Sequence, residues 1–396
     1  MAYKNSYRDV IAYKLRHVGL RELVNIAFLN IVEMALIRAS QAFPSLNFSP
    51  RSIQIESTTR CNLKCTHCEL SYWTEPAADL RVSDFEKVLD HLPKLKRVEL
   101  TGIGEPIMNR DFYRNLALIK SRGIRISMTD NFTMMTEKAV RRIIDLDVDR
   151  IAISLDGATK ETFEKVRIGA NFDVVTRNAR RLVQMRRESG KLKPELLANF
   201  VVTSNSYVEA TAIIELAHDI GIGLVQFDCV KTFEKTEGLE AEFFDERFNA
   251  SLEKAFERAR QLGVIVKWTF FEKNVPVEHC TSPWNRAFVT RDGYVHPCCL
   301  TTQTGDRQAQ NRRSLGNLIE SPIADIWKAA GLSTLRKNMK DGVLPHACHQ
   351  CPSYSGRPDP VGKAQEAAWR PSPSVATIVV SPRKRGEEKE RATHSD

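Results

Sequence analysis

Six short β-rich runs alternate with helical patterns from Arg51 onward, which predicts an α/β fold with a parallel sheet. The runs are "SIQIEST", "RVELTG", "IRISMT", "RIAISLD", "LLANFVVT" and "GLVQFDC". Six β/α units, with the candidate chemical residues at or just beyond the strands' C-terminal ends, point to an incomplete (β/α)6 barrel with its active mouth on that side. A third observation, a separate set of cysteines after residue 276, predicts a smaller C-terminal cysteine-rich domain.

In chain order, residues 1–50 form a helical extension. The basic start and the apolar run Leu23 to Ile37 imitate a secretory signal, but Asn25, Asn30 and Glu33 interrupt the run. No uninterrupted apolar stretch reaches the roughly 18 residues of a membrane span, so an integral protein is not expected. On a helical wheel Glu22, Asn25, Asn30, Glu33 and Ser40 share one polar arc, leaving an apolar face around Leu20, Val24, Phe28, Ile31 and Leu36. Such a face either packs on the protein body or, with Lys4, Arg8, Lys14, Arg16 and Arg21 nearby, makes peripheral contact with a membrane surface.

Residues 51–230 form the α/β core. Its helices carry cap signals: Ser83 with Glu86 three residues on, Asp111, and Thr136 at N-termini, Gly123 and Gly221 at C-termini. Residues 231–275 read as a charged helical connection followed by a strand-like "VIVKWTFF". Residues 276–355 are the cysteine-bearing domain, in which Asp292-Gly293 signals a tight hairpin and Ser321-Pro322 a helix start. Residues 356–396 shift to Pro, Ser, Lys, Arg and Glu around one apolar island, "VATIVV", and read as a disordered tail.

Nine cysteines in 396 residues are too few for a disulfide scaffold, and an odd number forbids complete internal pairing, so a reducing, cytoplasmic setting is expected. Part of the net charge of +9 sits in local runs such as "SPRKRGEEKER". Without aromatic interleaving it gives no reason to expect nucleic acid.

Three cysteines, Cys61, Cys65 and Cys68, crowd the loop after the first strand, with three and then two residues between them. A zinc ribbon would start with two, and a bacterial ferredoxin would have two-residue gaps and a Cys-Pro. Three thiolates leave one iron of a four-iron cube open to a non-protein ligand. Cys61-x3-Cys65-x2-Cys68, with His67 before the last cysteine, resembles the signature of the radical S-adenosylmethionine (SAM) superfamily.

The resemblance implies a 4Fe-4S cluster whose open iron is chelated by SAM, and a 5'-deoxyadenosyl radical as the species that takes hydrogen from substrate. "TGIGEP" resembles that family's Gly-Gly-Glu-Pro motif, so Gly102, Gly104 and Glu105 are expected near the SAM amino group. "TDNFT" matches the usual Thr-Asn-Gly-Thr in part: Asn131 fits, and Phe132 replaces glycine. "SLDG" places Ser154 and Asp156 at the position that commonly reaches the SAM ribose or carboxylate, and His67 is expected at the adenine. An external electron donor such as flavodoxin or ferredoxin is also implied.

Cys280 and Cys298 flank the hairpin, and Cys348 and Cys351 close the domain as "CHQC". Two distant cysteine pairs suit structural zinc as well as iron-sulfur, so spacing alone leaves both open. Cys280, Gly293-x4-Cys298, "LGNL" and the closing Cys-x2-Cys resemble the SPASM/twitch extension of radical SAM enzymes. With no cysteine after Cys351, the resemblance implies the twitch form with one auxiliary 4Fe-4S cluster held by these four. Cys298 and Cys299 would face opposite ways on a strand, and which of them ligates stays open.

Cys229, at the end of the sixth strand, is either a buried structural thiol or a hydrogen donor to a substrate radical. The expected activity is therefore oxidation of a small-molecule, sugar-like or lipid-like substrate, with the auxiliary cluster accepting an electron. Its alternatives are a redox-neutral epimerase using Cys229, a peptide maturase, or, outside the enzymes, an iron-sulfur electron carrier. Against the maturase, the fifty residues before the barrel are short and continuously helical for a leader-peptide-binding domain.

Overall fold

The structure, a computed structural model, describes residues 7–43, 46–230, 246–268, 280–302 and 306–343. The strands in chain order are β1 (Ser52–Ile55), β2 (Lys64–Cys65), β3 (Arg97–Leu100), β4 (Arg125–Asp130), β5 (Arg150–Ser154), β6 (Arg167–Ile168), β7 (Glu195–Val202), β8 (Leu224–Cys229), β9 (Ile265–Trp268), β10 (Arg286–Val289) and β11 (Val295–His296). Nine form one sheet in the order β11-β10-β1-β3-β4-β5-β7-β8-β9, and β2 pairs with β6 in a separate ribbon. All six expected runs are strands, and they lie side by side and parallel as β1, β3, β4, β5, β7 and β8.

Two strands extend this core. β9, from the run after the connecting helix Glu246–Leu262, adds parallel to β8. β10, first strand of the expected hairpin, adds parallel to β1, and β11 returns antiparallel on its far side. Cysteine-bearing residues are thus built onto the edge of the same sheet.

Strand period 2 sets the two faces of the sheet. In β3, β4 and β5, Val98, Leu100, Ile126, Met128, Ile151 and Ile153 are fully or almost fully buried under the outer helices. The intervening Arg97, Glu99, Arg125, Ser127 and Arg150 face a polar cavity of about 680 Å³ at the strands' N-terminal ends. Helix α2 (Leu20–Ala42) closes that base with Ile26, Asn30, Glu33 and Met34.

Glu22, Glu33 and Ser40 of the polar arc face the protein, with Ile37 buried among them, while Asn25 stays exposed. Arg97 donates to Glu33 (2.8 Å) and to Asn30 (2.5 Å), Asn285 donates to Glu33 (3.2 Å), and Arg125 pairs with Glu22. Leu20, Val24, Phe28 and Ile31 are left outside, 57% to 69% exposed. Contrary to the expectation of no spanning segment, α2 is long and apolar enough by length and composition to cross a membrane.

Of the expected caps, Thr136 accepts from Ala139 N (3.3 Å), and Gly221 closes its helix in the left-handed region (φ 95°). Ser83 is not a cap: its helix starts at Val82, so Ser83 lies inside the first turn. Asp111 precedes its helix but its carboxylate accepts from Val82 N and Arg114 instead of capping.

Candidate active site

The loop Thr58–Leu70 leaves the C-terminal end of β1 and is held from three sides. Thr58 donates to Asp79 (2.6 Å), and Arg60 Nε reaches the same carboxylate (3.1 Å). β2 pairs Cys65 with Arg167 of β6, and Thr66 N donates to Val166 O (3.0 Å). Asn62 donates to Thr133 (2.8 Å) and accepts from Asn131 (3.0 Å), so the loop after β4 grips the cysteine loop.

Cys65 is buried, and Cys61 and Cys68 are half-buried. Loss of hydration pushes the Cys61 thiol up to about 11 and Cys68 to about 12, and raises Cys65 as well. Such thiols give up their protons only to a metal that takes their place. Among the described residues no three His, Cys, Asp or Glu side chains could share a single metal ion. A four-iron cube asks for no such convergence, because each thiolate takes its own iron. The donor set therefore fits a cluster ligated by Cys61, Cys65 and Cys68.

Beside them, Glu105 is 5% exposed and accepts from Asn131 N (2.9 Å). Burial, then the neighbouring Asp130 carboxylate, raise Glu105 well above the usual range; burial pushes Asp130 to about 6. Glu105 Oε1 and Asp130 Oδ2 are both buried without a donor. Burial and the neighbouring Asp130 favour the protonated form of Glu105, in a place where a bound cation would favour the carboxylate instead.

Gly102 and Gly104 serve protein packing. A Cβ on Gly102 would come within 2.6 Å of the Glu56 side chain, and one on Gly104 within 2.2 Å of Thr58 O. These glycines bring the Glu105 loop hard against the cysteine loop, where Glu105 N donates to Arg60 O (2.7 Å).

Phe132 stands at φ 60°, the left-handed conformation that favours glycine. Its amide donates to Asp130 (2.7 Å), its carbonyl accepts from Asn178 (2.8 Å), and its ring is fully buried. Burial of the ring offsets a backbone cost of about 1 kcal/mol or more, so the turn keeps the glycine shape with a large side chain.

Ser154, at the end of β5, is 4% exposed, and Asp156 just beyond is fully buried. Asp156 is committed within the protein: it accepts from Val201 N (2.8 Å) and forms an ion pair with Arg167 at 2.6 Å. His67 Nε2 lies 3.7 Å from the same carboxylate, while its Nδ1 is buried without a partner. Burial lowers the His67 pKa, so the ring is neutral.

Arg167 was not legible in the sequence as a site residue. It is 7% exposed, ion-paired to Asp156, and its NH1 lies 3.9 Å from Cys65 Sγ. It places a fixed positive charge against one thiol of the triplet.

The hairpin β10/β11 turns at Gly293 (φ 84°), and Val295 exchanges backbone bonds with the "LGNL" segment, donating to Gly316 O and accepting from Leu315 N. Cys298 and Cys299 lie past β11, Cys299 opening a 3-10 turn, so strand alternation does not govern which way they point. Cys280 is partly buried against the core. Cys348 and Cys351 lie outside the described residues, as does the side chain of Cys229, whose backbone pairs with Val202.

One hub joins this segment to the first. Glu56, 2% exposed just past β1, accepts from Arg291 N (3.3 Å) and Ile103 N (3.4 Å) and pairs with buried Arg307. Arg307 N also donates to Glu75 (2.9 Å), and the guanidinium lies 5.3 Å from the Trp73 ring. Glu56 sits inside the quoted run "SIQIEST", where an acid in an apolar strand was the available signal; Arg307 carried none.

Residues 55–191 match the family model described as the radical SAM superfamily, and residues 280–352 match SPASM, an iron-sulfur cluster-binding domain. The chain is 26% identical to the tungsten-containing aldehyde ferredoxin oxidoreductase cofactor-modifying protein of Pyrococcus furiosus, over 84% of this chain and 95% of that one. It is 23% identical to the AdoMet-dependent heme synthase of Methanosarcina barkeri, over 76% and 88%. In fold it is similar to Streptococcus suis SuiB bound to S-adenosylmethionine, with TM-score 0.58, 14% identity, and 72% and 67% of the two chains covered.

Proposed function

We propose that this chain, which belongs to the radical SAM superfamily and carries a SPASM iron-sulfur cluster-binding domain, oxidises a small-molecule substrate at carbon. The observation that carries the reading is the Glu56 hub. It docks the hairpin segment leading to Cys298 on the strand from which the Cys61–Cys68 loop departs. An electron acceptor held in part by Cys298 would then be anchored to the sheet that also carries the Cys61–Cys68 loop.

When bound, a cluster held by Cys61, Cys65 and Cys68 would supply the one-electron chemistry for reductive cleavage of SAM and so for hydrogen removal from the substrate. Cys61, Cys65 and Cys68 would hold three irons as thiolates. Arg167 offsets negative charge at Cys65 while fixing Asp156, whose carboxylate lies 3.7 Å from His67 Nε2. Glu105, held protonated by burial beside Asp130, would release that proton to water on taking up the ammonium of SAM. Asn131 ties that carboxyl pair to the cysteine loop through Asn62.

Two sequence relatives support a cofactor-sized small molecule as substrate, since their names concern a tungsten-enzyme cofactor and heme. The test is anaerobic reconstitution with iron and sulfide, followed by metal analysis and SAM cleavage under dithionite. About eight irons per chain, falling to about four when Cys61, Cys65 and Cys68 are all changed to Ala, supports the oxidative reading. About four irons falling to none, with zinc retained, replaces it with redox-neutral chemistry in which Cys229→Ala should block turnover and solvent deuterium should enter the product.

A further inference from the structure

The N-terminal helices are mounted with their apolar sides outward. In α1 (Tyr7–His17), Tyr13 is buried, while Ile11 and Leu15 are 50% and 43% exposed on the opposite side. In α2, Leu20, Val24, Phe28 and Ile31 form a stripe at helical spacing, with Phe28 64% and Ile31 69% exposed. Meanwhile Glu33 and Ser40 are buried. A 23-residue helix of this composition has only 17% of its most apolar window covered, far from what a core helix shows.

The rim of this surface is basic. Arg8, Arg16, Arg21 and Arg38 are exposed on the two helices, and Asp9 is the one exposed acidic residue there. Arg8 shares the Ile11–Leu15 side of α1, and Arg38 lies in line with Leu20 and Ile31 on α2. Apolar side chains between exposed arginines match an interface of acyl chains beneath anionic headgroups.

We propose that α1 and α2 dock this protein on the surface of a bilayer carrying anionic lipid, lying in the interface with Phe28 and Ile31 inserted. A transmembrane course for α2 would break its ion pairs with Arg97 and Arg125. Those partners begin β3 and β4, so the membrane lies against the base of the sheet, and the Cys61–Cys68 loop at the opposite strand ends faces away from it. Attachment therefore localises the enzyme and leaves the mouth open to water-borne substrate.

The test uses the full chain, reconstituted anaerobically, in flotation with vesicles of phosphatidylcholine alone or mixed with phosphatidylglycerol. The expected result is flotation with the anionic vesicles, lowered about tenfold or more by the double substitution Phe28→Ser with Ile31→Ser. Arg16→Glu with Arg38→Glu should remove the preference for phosphatidylglycerol. Iron content and dithionite-driven SAM cleavage must match wild type in each variant, which separates loss of docking from loss of fold. Wild type that floats with neither vesicle, or a serine variant that floats equally well, overturns the proposal. So does a concentration-dependent dimer that the serine variant abolishes without vesicle binding, which would make a second copy the occupant.

Discussion

At the base of the sheet, Arg97 and Arg125 meet Glu33, Asn30, Glu22 and Asp149, and Glu195 is shared by Lys14 and Arg150. At the mouth, Glu105 and Asp130 lie carboxyl against carboxyl, and His67 Nδ1 and Arg167 Nε are buried without a partner. Buried polar groups left unpaired cost stability, and a fold keeps them where something else completes them. Asn285 Oδ1 at the base lacks a partner too, so the contrast lies in charge: opposite charges meet at the base, which holds the chain together, and two carboxyls meet at the mouth, where a cationic ligand would complete them.

The comparison is broken most severely by changing Cys61, Cys65 and Cys68 together to Ala. SAM cleavage should vanish while the base keeps the fold, read by 5'-deoxyadenosine formation beside circular dichroism. Next, Arg167→Met strands the Asp156 carboxylate in an apolar place and should cost about 3 kcal/mol of stability. Denaturant unfolding of the cluster-free protein measures it, and a loss below about 1 kcal/mol would show that Asp156 finds another partner.

Glu105→Gln should act with opposite signs on stability and binding. Burial raises the folded pKa of Asp130 from 3.8 to about 6 and lifts Glu105 further. Their contribution to stability is therefore present at low pH and lost as pH rises through about 6 and above. The variant of the cluster-free protein should melt a few degrees higher than wild type at neutral pH, with the difference shrinking toward pH 4. In the reconstituted protein it should weaken SAM binding by about tenfold or more, measured by equilibrium dialysis. The smallest effect is expected at the base: Glu33→Gln keeps volume and one of the two acceptors that serve Arg97 and Asn285, costs about 1 kcal/mol, and leaves SAM cleavage unchanged.

Local patterns made much of this molecule readable in advance. The six core strands announce themselves by short apolar runs between capped helices, and Cys61, Cys65 and Cys68 by a spacing within eight residues. Phe132 in place of glycine was visible too, but not that its buried ring would hold the glycine conformation. Arg167 meets Cys65 across 102 residues, and Arg307 meets Glu56 across 251, so neither pairing leaves a trace in spacing.

The order of chain elements, the cysteine loop and the apolar composition of α2 were determined by the sequence alone, because each depends on neighbours a few residues apart. Which side of α2 faces outward was decided by the tertiary structure. Arg97 and Arg125, at the starts of two strands, make the underside of the sheet charged, and the polar arc of the helix brings Glu33 and Asn30 to the first and Glu22 to the second. Burying the apolar face there would have left Arg97 without Glu33 and Asn30 and Arg125 with Asp149 alone, so the helix turned its oil side out.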